Sequence, residues 1–196
     1  MKNAKKVIVL VLCAILLMAV SVMGTLAYLT STAKVENTFT AGNVTIQLKE
    51  RAMNPATGAL ETNAGLVETG IQDIKVVPGR TIEKQPVVIV SEGSEDCWLF
   101  VKVEGDVLGA GTFALNSAWE AVPNEPGWYQ MKTKASVNTE GYQVFDSFTF
   151  NNLSNDEVAA LKDKTIVVTA YAVQSELVEQ GTAFTTAKGM ATPANP

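Results

Sequence analysis

The chain predicts an all-β fold, a jelly-roll or Ig-like β-sandwich with one short crossover helix, preceded by an N-terminal signal helix. Three observations carry this. Short runs rich in Val, Ile, Thr and aromatic residues recur, and several alternate apolar and polar positions. Clusters of Gly, Pro, Asn and Asp separate them. Beyond the N-terminal leader, only residues 153–162 carry good helix signals. There is no internal repeat and no second domain in the pattern. The expected organisation is a signal peptide at 1–27, an extended leader or donor segment at 28–36, the sandwich at 37–178, and a flexible C-terminal tail at 179–196.

The leader comes first. Lys2, Lys5 and Lys6 form a basic start, and residues 7–23 are apolar apart from Ser21. Thr25, Leu26 and Ala27 then place small residues three and one before a cut between Ala27 and Tyr28. The alternative is an uncleaved anchor, since residues 7–29 are long enough to cross a bilayer. The small-residue site and the lack of a basic stop after Leu29 favour cleavage. Cys13 lies mid-run behind Leu12, so it does not mark a lipoprotein.

Residues 28–36 are polar with few apolar points and read as extended chain. Val44 to Lys49 alternates strictly, the signature of a half-buried strand. Residues 51–70 form a polar loop, and residues 71–77 have the make-up of a short strand ending at Pro78-Gly79. Residues 81–90 read as one strand interrupted by Pro86, whose missing N–H places it at an edge or bulge. Residues 97–104 put Leu99, Val101 and Val103 on one face and Trp98 and Phe100 on the other, as a central strand does. Residues 113–122 fit no single pattern. Residues 128–132, 142–150 and 165–173 are further strands, with Val144, Phe148 and Phe150 expected on one face. The helix at 153–162 opens with a capping box, Ser154 to Glu157, and a hydrophobic staple, Leu153 to Val158.

The run GTLAYLTSTAKVENTFTAGNVTIQL resembles the N-terminus of the TasA/camelysin (CalY) family of secreted Gram-positive proteins. Gly24, Thr25, Ala27-Tyr28 and the stretch Asn37-Thr38-Phe39-Thr40-Ala41-Gly42 carry the likeness. Residues 77–81, 98–103 and 165–174 add weaker matches. The resemblance implies processing by a SipW-like signal peptidase and export to the cell surface or biofilm matrix. The family includes matrix fibre subunits, and camelysin is described as a metallopeptidase.

Composition narrows the function. Cleavage after Ala27 leaves 169 residues, enough for a real core. Losing the three leader lysines leaves 12 basic against 20 acidic residues, which argues against nucleic acid as a partner. There is no histidine. That removes Ser-His-Asp and Cys-His machinery and the H-E-x-x-H zinc site, so no catalytic, metal or cofactor residue is expected. Membrane contact is expected only through the signal before cleavage. Cys97 alone survives cleavage, so no internal disulfide forms. It reads as a small buried residue, with intermolecular pairing as the alternative.

Three further groups have a plain reading and a sharper one. Glu92, Glu95 and Asp96 form a solvated turn or a weak calcium loop. Trp98, Trp119, Trp128 and Tyr129 are core residues or a carbohydrate platform. Residues 28–36, with Tyr28, Leu29 and Val35 as side-chain anchors, are a disordered leader or a strand that adds to a neighbour's sheet. The last option makes the protein a self-associating structural subunit; the alternatives are a secreted binding module or adhesin for a glycan or host protein and, third, a camelysin-like metallopeptidase, against which the missing histidines stand. Paired carboxylates of a glycosidase are marked nowhere.

Overall fold

The computed structural model describes residues 43–68 and 70–191. The expected signal helix, and all of residues 28–36, lie outside them. Among the described residues eleven strands make an all-β sandwich of antiparallel sheets. In chain order they are β1 (Ile46–Arg51), β2 (Leu66–Val67), β3 (Thr81–Ile82), β4 (Pro86–Val90), β5 (Cys97–Glu104), β6 (Gly111–Leu115), β7 (Trp119–Ala121), β8 (Trp128–Met131), β9 (Asn138–Gln143), β10 (Phe145–Phe150) and β11 (Val167–Gln174). Helix α1 is Asn155–Ala160 and helix α2 is Gln180–Ala191. The strand orders are β2-β1-β4-β9, β3-β10-β6 and β11-β5-β8-β7. The first two sheets share chain directly, because β9 becomes β10 at Val144.

The main core lies between these elements. Val88 and Val90 of β4 meet Leu99, Val101 and Val103 of β5, with Trp119, Met131, Val144 and Phe145 closing the cluster. Each such side chain contributes roughly 1.5–3 kcal/mol through burial. A second cluster gathers Met53, Ile82, Val107, Phe148 and Phe150. A third sits on the opposite face of β5, where Phe100 and Trp128 lie under Ala183 and Ala187 of α2. β5 is thus buried on both faces and flanked by β11 and β8, as its sequence predicts.

Four expectations need correction. Residues 71–77 are not a strand: Asp73 takes a positive φ of 55° and breaks the extension, while Ile71, Ile74 and Val76 still pack on the second cluster. Pro86 is not at a sheet edge but opens β4, between β1 and β9. It is tolerated because its carbonyl only accepts, from the Val144 N–H at 2.9 Å, and the preceding Gln85 carbonyl takes the Arg51 N–H. The run 142–150 is two strands, with a register shift between Phe145 and Ser147. That shift lets both Phe145 and Phe148 face core, so Val144 belongs to the first cluster and Phe148 to the second. Residues 180–191 are not a tail but helix α2. The short helix α1 crosses from β10 to β11 and carries the expected capping box.

Candidate functional site

The candidate site is a flank of the sandwich that is unpaired among the described residues. β11 pairs with β5 through eight consecutive residues, Val167 opposite Glu104 to Gln174 opposite Cys97, without a bulge. Among the described residues no strand pairs its other side. Its sequence, VVTAYAVQ, has no charge and no proline. Val168, Ala170 and Ala172 face the main core, while Tyr171 and Val173 face the α2 side. Val167 is 49 % exposed. The unpaired N–H and C=O groups of such a strand are a ready template for another chain.

β1 borders the same flank. It pairs with β4 over five residues, whereas β2 covers only Glu50 and Arg51 on its other side. Residues 46–49 of β1 therefore also present an open edge among the described residues. Between the two strands runs a groove of about 370 Å³, with Leu48, Glu50 and Lys84 on one wall and Ile166, Val167 and Val168 on the other. A larger depression of about 620 Å³ adjoins it, sharing Gly70, Gln72, Lys84, Thr165 and Ile166.

The groove contains a buried ion pair. Lys84 Nζ stands 2.5 Å from Glu50 Oε1, and both residues are more than nine-tenths buried. Glu50 Oε2 accepts from the Ile71 N–H at 3.4 Å, which ties the 70–76 loop to the groove. Lys49 and Glu68 pair at 3.5 Å on the rim, where an exposed pair contributes little. The opposite flank is guarded. β7 has only three residues there, and β9 carries a register shift against β4 and a positive-φ glycine, Gly141.

The sequence-predicted residues fall out as follows. Ala27, Tyr28, Leu29 and Val35 lie outside the described residues. Trp119 and Trp128 are buried in different clusters, and Trp98 Nε1 donates to the Val178 carbonyl at 2.8 Å. With Tyr129 half-buried, these aromatics do not assemble into an exposed platform. Cys97 is fully buried and free, and burial followed by the Asp96 charge pushes its thiol up to about 11. The thiol is held as an inert packing group. Glu92, Glu95 and Asp96 stay in a turn, and no group of three metal-ligating side chains occurs among the described residues. No helix among them is long and apolar enough to cross a membrane.

The sequence marks 28–36 as a candidate donor segment and marks no surface that would accept it. The run 165–173 was legible as a strand, but edge status depends on sheet order, which no local pattern encodes. No protein-family model, no curated protein and no solved structure matches this chain.

Proposed function

We propose that this protein is an exported structural subunit of the cell surface or biofilm matrix that self-associates by strand addition. The observation that carries the reading is the edge of β11 that no strand pairs among the described residues, eight residues long and lacking bulge, charge and proline. Soluble β proteins usually blunt such an edge. Among the described residues β11 is the longest strand left unpaired on one side, and a groove beside it offers room for alternate side chains of an added strand. One open flank joined to one extended donor gives head-to-tail addition, which does not close and yields filaments.

The donor is the 28–36 segment of a neighbouring copy, with Tyr28, Leu29 and Val35 as anchors. Before processing by a SipW-like signal peptidase, that segment is tethered to the membrane through the signal. Cleavage between Ala27 and Tyr28 frees it, so assembly begins outside the cell. The resemblance to TasA/camelysin proteins supports the same reading. The subunit needs no catalytic residue, cofactor or metal for this role.

The test is the mature N-terminus, measured by mass spectrometry on protein from culture and cell surface, with negative-stain microscopy of the same fraction. The expected result is a start at Tyr28 together with filaments. A start at Tyr28 with monomers at every concentration would replace the subunit by a secreted binding module. An intact Met1 in the membrane fraction would overturn both cleavage and assembly.

A further inference from the structure

We propose that helix α2 is an exchangeable element, which seats on the β5–β8 face of a second copy of this chain as readily as on its own. This goes beyond strand addition and uses a different surface. The docking site is specific. Ala183 and Ala187 are fully buried, and Phe184 packs at 5.5 Å from the Phe100 ring and 5.3 Å from the Trp128 ring. Polar anchors fix the register: Gln180 Nε2 donates to the Met131 carbonyl at 2.9 Å, and Lys188 Nζ meets Glu125 Oε1 at 2.5 Å.

The helix itself is weak. Gly181, Gly189 and three threonines lower its intrinsic propensity. Neither glycine is required by packing, since a Cβ built on either meets nothing within 4 Å. The helix therefore depends on its docking face and not on its own sequence.

The connection back to β11 is the strained part. Between Gln174 and Gln180 the chain turns through Leu177, which has a φ of +56° and is fully exposed. A leucine rarely takes that left-handed conformation, and here no packing compensates it. Within the turn the Val178 N–H reaches the Ser175 carbonyl at a long 3.5 Å, and the firm bonds lie on either side of Leu177: the Ser175 N–H donates to the Asp96 carbonyl at 2.9 Å, and Trp98 Nε1 donates to the Val178 carbonyl at 2.8 Å. Extending the hinge releases Leu177 and carries α2 away from its own sheet. Two chains opened in this way re-form every α2 contact across the pair, without the strained turn. That is the condition under which element exchange costs little.

The Lys188–Glu125 pair reports the topology. A zero-length carbodiimide cross-link at this pair joins a residue of α2 to the β7–β8 turn. The experiment uses the full chain carrying Thr169→Glu, a charge on the β11 edge that separates this mode from strand addition. Light and isotope-heavy chains are mixed at high concentration, and dimer and monomer are isolated by size exclusion and then cross-linked. The expected result is a Lys188–Glu125 linkage between light and heavy chains in the dimer fraction, and within one chain in the monomer. Leu177→Gly, which relaxes the turn, should lower the dimerisation constant by about tenfold. Leu177→Pro, which cannot hold a positive φ, should raise it by at least as much. Absence of dimer at every concentration, or a dimer whose Lys188–Glu125 linkages all lie within one chain, would overturn the proposal.

Discussion

Glu50 and Lys84 show how a single pair of residues fixes local structure. Both are charged, both are buried, and each neutralises the other at 2.5 Å. Removing one partner leaves a charge in the interior. Lys84→Met should therefore destabilise the domain by about 3–5 kcal/mol, whereas Glu50→Leu with Lys84→Met should be near neutral, as read by urea unfolding. Cys97 gives a second residue-level test. Its thiol is raised from 9.0 to about 11, chiefly by burial. The protonated form is thus favoured in the fold. The associated stability is intact below pH 9 and is lost as pH rises toward 11. Cys97→Ala should flatten the alkaline limb of a stability–pH curve, and alkylation of the native protein at neutral pH should be slow. Burial of Cys97 was legible from its place beside Trp98 in an apolar run. The Glu50–Lys84 pair was not, because 34 positions separate the partners and each looks like an ordinary surface charge.

At the level of elements, the two helices make opposite points. α1 is written into the sequence. The Ser154 side chain accepts from the Glu157 N–H, and the Glu157 carboxylate accepts from the Ser154 N–H at 2.7 Å. Ser154→Ala should cost about 1 kcal/mol. The backbone and side-chain bonds from Ser154 hold the Glu157 carboxyl below the usual carboxylate range. Its contribution is present above that range and lost as pH falls through the lowered value. Helix content measured by amide exchange at residues 155–160 should fall on acidification in wild type, and change less in Glu157→Gln. α2 is not written locally. It has no acidic residue in its first turn and two glycines, and it exists because Phe100 and Trp128 offer a face for Ala183, Phe184 and Ala187. Tertiary packing overrides weak propensity there. The strands follow the same division. β5 announces itself by alternation on two apolar faces, while the break at Val144 comes from a change of pairing partner, from β4 to β6, that only the assembled sheets reveal.

For the molecule as a whole, the sandwich was predictable from strand spacing, and the flank left unpaired among the described residues was not. Which strand lies at an edge is decided by the order β11-β5-β8-β7, a property of all the pairings together. The assembly reading depends on that order. Thr169→Glu places a charge on the β11 edge opposite Lys102, so the folded monomer should tolerate it while filament formation is lost. Unfolding midpoints and negative-stain images of the variant check the two halves of that statement. The most direct test is amide hydrogen exchange of the mature protein as monomer and after assembly. Strand addition predicts that every second backbone amide of Val167–Gln174, the set pointing away from β5, gains strong protection on assembly, together with residues 28–36. Filaments in which β11 exchanges as it does in the monomer, with new protection elsewhere, would contradict the account.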